Sequence, residues 1–350
     1  MQGNTDDNNR KVATWLLVCC ALVFIMVVLG GVTRLTGSGL SMVDWRPVLG
    51  ALPPMSDEAW QKTFEMYQQT PEFAKVNTHM EVDDFKGIFW LEYLHRLLGR
   101  TIGIVFLVPF LVFAWRGYIR KQEWPKYSLM FVLGGMQGVL GWYMVKSGLV
   151  DNPHVSQYRL VAHLVAAFLI YGYMFWAALN LIFPSAGKVP HPWYRKTLAL
   201  ATLITITVIS GGFVAGLKAG KIYNTFPMMG EYWAPPGMFA IEPWWRNLFD
   251  NMATVQFEHR VLALTTFVLI IVYRVQVRKT ELPARLAKGV NALLHTAVLQ
   301  VALGITTLLL VVPVSLAAIH QAVAMLLFTV ALYLCHGLRR VQPLSRGSGS

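Results

Sequence analysis

Eight long apolar runs dominate this sequence and restrict what the chain can fold into. They cover residues 12–33, 89–115, 125–146, 158–182, 195–217, 254–274, 288–312 and 314–337. A helix that crosses a bilayer needs about 20 predominantly apolar residues, and the runs approach or exceed that length. The sequence therefore predicts an all-α membrane protein with eight transmembrane helices.

The composition agrees with a membrane protein. Of the 350 residues, 55% are hydrophobic and 14% are charged, whereas a soluble domain carries about 25% charged residues. We interpret the formal net charge of +12 as cationic loops that set orientation, not as a nucleic-acid surface. Cys19, Cys20 and Cys335 all lie in apolar runs, which excludes a disulfide in the outer loops and any zinc spacing.

The distribution of Lys and Arg predicts the orientation in the membrane. Seventeen of them fall in segments on the side of the N-terminus, and nine fall in the longer segments on the opposite side. Because positive residues favour the cytoplasmic side, we expect both termini to lie inside. The polar N-terminal segment 1–11 shows no signal or transit pattern. This favours the inner (plasma) membrane of a bacterium, with the mitochondrial inner membrane as the second choice.

The two halves of the chain repeat each other. The motif Gln137–Gly141 returns as Gln300–Gly304, and the pair Gly30–Gly31 returns as Gly211–Gly212. Each half begins inside and contains four apolar runs. We therefore predict two pseudo-symmetric four-helix bundles, related by an axis along the membrane normal.

These repeats define the predicted domains. The N-terminal bundle covers 12–182 with a long outer loop at 34–88, and the C-terminal bundle covers 195–337 with an outer loop at 218–253. Long loops of this kind are usually functional. The tail 338–350 ends in a Gly-Ser sequence that resembles a linker remnant.

Four histidines occupy equivalent positions in the repeat. His95, His163, His259 and His320 lie in the second, fourth, sixth and eighth runs, within about two turns of the outer end. One histidine in an apolar helix is more often a hydrogen-bonded core residue. Two per half suit a bis-imidazole site between facing helices, and haem iron takes imidazole as an axial ligand. A zinc ion would need two further ligands that the pattern does not supply.

The residues that precede two of these histidines differ between the halves. Glu92 lies three residues before His95, so both side chains lie on one helix face, whereas Gln256 lies three residues before His259. An ionisable residue in an apolar span is costly and suggests a function. Because an amide cannot exchange protons, the asymmetry predicts a proton-handling carboxyl group in the first half only. The alternative is an interfacial ion pair between Glu92 and Arg96.

An arginine directly follows each of the same two histidines. Arg96 and Arg260 lie about 100° around the helix from His95 and His259, so they do not share the face of the ligands. Each could reach a haem propionate or pair with a carboxylate of the outer loop. The sequence leaves both possibilities open.

Three blocks of sequence resemble the haem A synthase family. They are Gly30–Ser41, Phe85–Arg96 and Asn224–Met229, of which the second is the most specific. With the eight runs and four histidines, the likeness covers residues 12–337. The chain lacks the outer-loop cysteine pair that some bacterial members carry. It is therefore similar to the alphaproteobacterial and mitochondrial branch.

The resemblance implies an oxidoreductase that oxidises the C8 methyl group of haem O to a formyl group by successive hydroxylations. It implies a permanent haem b held by His259 and His320 with Arg260 nearby. It places substrate haem O at His95 and His163 near Arg96, with Glu92 as the catalytic residue.

The implied partners follow from this reaction. They are haem O, the haem O synthase that supplies it, oxidase assembly factors, an electron acceptor and the lipid bilayer. No nucleic acid is expected, and a homo-oligomer is left open.

Two other functions fit the histidines from the sequence alone. A dihaem electron carrier would hold two permanent haems and would not need Glu92. A haem transporter or chaperone would bind haem reversibly without oxidising it. Extraction of the pigment and separation of haems B, O and A would distinguish the three.

Overall fold

The computed structural model describes residues 2–43, 52–148, 154–184 and 189–339. Within these ranges the chain is helical and contains no strand, and eight helices are long and apolar enough to cross a membrane. The prediction of an all-α membrane protein with eight spanning helices is confirmed. These helices are α1 (Gln2–Leu35), α4 (Val82–Trp115), α5 (Trp124–Lys146), α6 (Gln157–Ile182), α7 (Tyr194–Leu217), α9 (Met252–Val277), α10 (Ala284–Leu309) and α11 (Val314–Arg339).

Three shorter helices belong to the two long loops. α2 (Asp57–Gln68) and α3 (Pro71–Lys75) precede α4, and α8 (Asn247–Asp250) precedes α9. Ser56 caps α2 and Thr70 caps α3 through their hydroxyl oxygens, which accept hydrogen bonds from backbone amides in the first turn. The loops therefore carry folded structure on the end of the bundle from which they emerge, here named the outer end. The opposite end, where α1 begins and α11 ends, is named the inner end.

Helix α4 begins seven residues before the apolar run that predicted it. Its first turn contains Asp83 and Asp84, which lowers the local hydropathy. A capping box joins Glu81 and Asp84, because each side chain accepts a hydrogen bond from the backbone of the other residue. The polar turn therefore extends α4 beyond the hydrophobic segment and into the outer loop.

The spanning helices contact each other in two consecutive sets. In the first set α1 packs against α4 and α6, and α5 packs against α4 and α6. In the second set α7 packs against α9 and α11, and α10 packs against α9 and α11. Contacts between the sets involve α1, α6, α7 and α11. The division of the chain into two domains at the boundaries given above stays a prediction, but the same pairing of helices occurs in each half.

The main apolar core lies toward the inner end. Its most buried residues include Leu16, Ala178, Ile204 and Leu334. Small residues allow close approach there: Gly289 faces Leu334, and neighbouring helices make similar contacts. Since lipid is as apolar as these side chains, such close packing is the main source of helix association in a membrane. The four histidines lie outside this core, in the outer halves of their helices.

Candidate functional site

The structure brings the predicted histidines together in two pairs. The imidazoles of His95 on α4 and His163 on α6 are close enough to interact electrostatically. The same is true of His259 on α9 and His320 on α11. All four side chains are partly buried. The structure therefore places one pair of imidazoles in each half, and the role of these residues as iron ligands stays a prediction.

Each imidazole lies against a glycine of the neighbouring helix. A Cβ atom placed on that glycine would lie 2.9–3.3 Å from the imidazole Cε1, which is closer than an ordinary van der Waals contact. A larger residue at these positions would push the ring away from its partner. All four glycines belong to motifs that repeat between the halves, but no pattern in the sequence connected them with the histidines. The pairs are Gly30–His95, Gly141–His163, Gly211–His259 and Gly304–His320.

Polar contacts to the imidazoles differ between the halves. The Ser210 hydroxyl lies 2.8 Å from Nδ1 of His259, which leaves Nε2 of that ring for another partner. The amide nitrogen of Gln300 lies 3.3 Å from Nε2 of His320. Nδ1 is buried and has no hydrogen-bond partner within the described residues in the other three rings, those of His95, His163 and His320. Ser210 had no signal in the sequence, because serine is common in helices of this kind.

These residues fit haem better than a bare metal ion. Each half offers two imidazoles, and no group of three or more His, Cys, Asp or Glu suited to a metal ion occurs in the described part of the chain. A bare ion such as zinc needs more ligands from the protein, whereas haem iron needs only the two axial ones. The buried Nδ1 atoms and the glycine contacts indicate rings positioned for such a ligand.

Glu92 is buried and fully engaged in hydrogen bonds. Only 3% of its surface is exposed. Its carboxylate accepts hydrogen bonds from the Ser41 hydroxyl (2.7 Å) and from the backbone N–H of Met42 (2.8 Å). It also forms an ion pair with Arg96, four residues along the same helix. The ion pair that the sequence suggested as an alternative is therefore present, together with two loop contacts that it did not suggest.

The residues at the equivalent positions of the second half, Gln256 and Arg260, hold the outer loop 218–253 by hydrogen bonds. Gln256 is equally buried, and its amide nitrogen donates a hydrogen bond to the carbonyl oxygen of Tyr223 at 3.0 Å. Arg260 donates to the carbonyl oxygens of Tyr223 (2.8 Å), Thr225 (2.9 Å) and Met228 (3.2 Å). In both halves, this part of the helix holds the segment that follows the first spanning helix.

The arginines thus make contacts that the sequence analysis did not consider. Arg96 donates to the carbonyl oxygen of Met42 at 2.9 Å in addition to its bond with Glu92, and Arg260 binds three carbonyl oxygens. Backbone carbonyls leave no signature in a sequence, so this arrangement was not predictable. The expected contact with a haem propionate stays a prediction.

A second buried carboxyl group lies in the first outer loop. Glu72 of α3 is 7% exposed and accepts a hydrogen bond from the Tyr67 hydroxyl at 3.2 Å. The pKa of Glu72 is raised to about 7, mainly by burial and also by the nearby Glu92 carboxylate. The Tyr67 hydrogen bond and the cations Lys218 and Arg34 oppose the rise. Sequence reasoning missed Glu72, because a glutamate in a polar loop is ordinarily solvated.

The chain is similar to known proteins over almost its whole length. Residues 13–332 match the family COX15-CtaA, described as "Cytochrome oxidase assembly protein". The "Heme A synthase" of Nitrosospira multiformis is 53% identical over 335 residues, which is 95% of this chain and 94% of the relative. "Heme A synthase COX15" of Arabidopsis thaliana is 47% identical, over 95% of this chain and 76% of the relative. The human protein of the same name is 45% identical, over 95% of this chain and 83% of the relative.

Proposed function

The chain belongs to the cytochrome oxidase assembly family that includes the haem A synthases, and on this premise we propose how its two histidine pairs divide the reaction. The protein is a multi-pass membrane enzyme of haem A biosynthesis, an oxidoreductase that oxidises haem O to haem A. In our proposal His95 and His163 bind the substrate haem O, and His259 and His320 hold a resident haem b. Bound there, haem b supplies one-electron redox chemistry.

One observation carries this assignment. Glu92 is a buried carboxyl group on the face of α4 that bears His95, whereas Gln256 takes the equivalent place before His259. Oxidation of a methyl group to a formyl group requires protons to move and charge to develop near the substrate. Only the first half offers a titratable group at this position.

Glu92 has two tasks in this proposal. The donors from Ser41, Met42 and Arg96 fix its carboxylate one turn outward from His95. A carboxylate held in place stabilises positive charge that develops beside it. It can also accept the proton released from the C8 methyl group when the two electrons of the C–H bond pass to the electron acceptor. The ion pair with Arg96 lowers the cost of keeping this charge in an apolar span.

Arg96 and Arg260 order the loops over the two sites. Each arginine binds carbonyl oxygens of the segment that follows the first spanning helix of its half. A loop closed in this way covers the outer side of the site and excludes water from it. The arginines also place positive charge where the propionates of a bound haem would need it.

The setting in the cell follows from orientation. The excess of Lys and Arg at the inner end supports a cytoplasmic location for both termini in a bacterial inner membrane. The sites then lie toward the outer face. Haem O arrives from the synthase that makes it, an electron acceptor removes the reducing equivalents, and the product passes to oxidase assembly factors.

The test compares a substitution in each half. Glu92→Gln removes the titratable group but keeps an amide that can still accept from Met42, and Gln256→Glu is the matched change in the other half. Haems are extracted from the purified variants and separated into B, O and A. We expect Glu92→Gln to retain haem, to accumulate haem O and to form no haem A. Gln256→Glu should still form haem A.

Two outcomes would contradict the proposal. Full conversion by Glu92→Gln would exclude a chemical role for this residue. Two molecules of haem B in the wild-type protein, with no haem O or haem A under any condition, would identify an electron carrier instead. The melting temperature of each variant is measured as well. A lower melting temperature indicates that the contacts with the loop are lost, whereas an unchanged one indicates that only catalysis is affected.

A further inference from the structure

Glu72 shares the electrostatic environment of Glu92 although the two residues belong to different segments. Glu72 lies in α3 of the outer loop, and Glu92 lies in the third turn of α4 beyond the loop. The two carboxyl groups are close enough to interact electrostatically. Among the described residues of the second half, the loop meets Gln256 and Arg260 with the carbonyl oxygens of Tyr223, Thr225 and Met228 instead.

A chain of hydrogen bonds holds the carboxyl group of Glu72 beside an aromatic cluster. Its carboxyl group accepts from the Tyr67 hydroxyl, which in turn accepts a hydrogen bond from the Asn77 amide at 2.7 Å. Tyr67 is fully buried and stacks on Phe85, with ring centroids 5.0 Å apart. Glu72 is therefore held in one position, and Asn77 at the other end of the chain of hydrogen bonds is partly exposed.

Charged groups from three other elements face Glu72. Arg34 lies in the last turn of α1, Lys218 follows α7, and Glu92 belongs to α4. Arg34 donates to the carbonyl oxygen of Gly216 at 2.9 Å, so its position is fixed by the end of α7. The cations favour ionised Glu72, while burial and the negative charge of Glu92 favour the neutral form. The pKa of Glu72, about 7, results from this balance and lies where both protonation states are populated at neutral pH.

We propose that Glu72 is the outer member of a proton-transfer pair with Glu92, and that it exchanges protons between the substrate site and the outer aqueous phase. The step moves one proton from one carboxyl group to the other carboxylate by way of water, and it moves no electrons. The negative charge of Glu92 favours the neutral form of Glu72. This inference rests on the proposed chemical role of Glu92.

The first test measures the coupling without turnover. Infrared difference spectra of the purified haem-containing protein, recorded against pH, follow the carboxylic C=O band of Glu72. The band is assigned by its loss in Glu72→Gln and by its frequency shift in Tyr67→Phe, which removes the hydrogen bond. We expect a midpoint near pH 7 in the wild type.

Two charge changes should move this midpoint in opposite directions. Glu92→Gln removes a negative neighbour and should lower the midpoint, whereas Lys218→Gln removes a positive one and should raise it, each by roughly half a unit or more. A midpoint that is the same in Glu92→Gln as in the wild type would overturn the proposal, whether or not Glu92 is catalytic.

The second test measures turnover. Haem A formation is followed against pH in Glu72→Gln, in Glu72→Asp and in Glu58→Gln, a control on the exposed face of α2. We expect Glu72→Gln to slow conversion about tenfold or more and to lose the pH dependence near 7, with haem content retained. Glu72→Asp should recover part of the rate, and Glu58→Gln should match the wild type. A Glu72→Gln variant with the wild-type rate and pH profile would refute the relay, even if Glu92→Gln proves inactive.

Discussion

The glycine beside each imidazole offers a graded test of the site. In Gly304→Ala the new Cβ would lie 2.9 Å from Cε1 of His320, and in Gly30→Ala it would lie equally close to His95. Ordinary contacts begin near 3.4 Å, so the ring or the helix must move by about half an ångström. Overpacking of this kind costs about 1–3 kcal/mol, and here the movement turns a ligand away from its partner.

The distance from each added Cβ to the imidazole predicts how strongly each glycine-to-alanine substitution should disturb haem binding. Gly141→Ala places Cβ 3.3 Å from the His163 ring and should be tolerated better than Gly30→Ala within the same pair. Gly134 and Gly138 on α5 have no atom within 4 Å of an added Cβ, and alanine there serves as the control. These controls carry the same change in helix propensity, so any difference reports on the contact.

The assay measures haem per protein and the spectrum of the bound iron. Gly304→Ala should lose haem b or shift its low-spin optical and EPR signals, and Gly30→Ala should do the same for haem O. The melting temperature of each should fall relative to the α5 controls. Full haem content and unchanged spectra in both Gly30→Ala and Gly304→Ala would refute the packing of glycine against the ligands.

Two further predictions concern single hydrogen bonds and charges. Ser210→Ala removes the hydroxyl at Nδ1 of His259 and should weaken haem b binding about tenfold or shift the midpoint potential of haem b. The haem O spectrum should not change. Haem-binding and redox titrations identical to those of the wild type would show that this hydrogen bond does not influence haem b. Glu72 has a folded pKa of about 7 against an ordinary value of 4.5, so the folded protein holds a proton that the unfolded chain has lost between these pH values. The free energy of unfolding of the wild type should therefore fall across this window by at most about 3 kcal/mol and then level off. Glu72→Gln lacks this loss, so its stability relative to the wild type should increase as the pH rises from 4.5 to 8. A difference in melting temperature that is independent of pH would contradict this.

The fold was largely predictable because the bilayer imposes a strict length on each helix. Hydropathy alone located all eight spanning helices. Hydropathy did not locate the ends of helices whose first turns are polar. Helix α1 begins at Gln2, not at residue 12, and α4 begins at Val82 because of the capping box at Glu81. Capping stabilises helix turns that lie outside the apolar segment, and a hydropathy pattern does not register them.

Those parts of the candidate site were predictable that could be compared between the two repeated halves of the sequence. Duplication brought four histidines into register and exposed the exchange of Glu92 for Gln256. The loop contacts of Arg260 were hidden, because their acceptors are backbone carbonyls. Glu72 was hidden for another reason: its burial depends on how α2 and α3 fold onto α4, and this tertiary arrangement has no local pattern.

The central claim is that two imidazole pairs hold two different haems. Its most direct test is the haem composition of purified His95→Ala, His163→Ala, His259→Ala and His320→Ala, measured by extraction and chromatography beside the wild type. We expect the first two variants to lose haem O and haem A but to keep haem B, and the last two to lose haem B. The same haem missing from all four variants, or unchanged composition in any pair, would contradict the assignment.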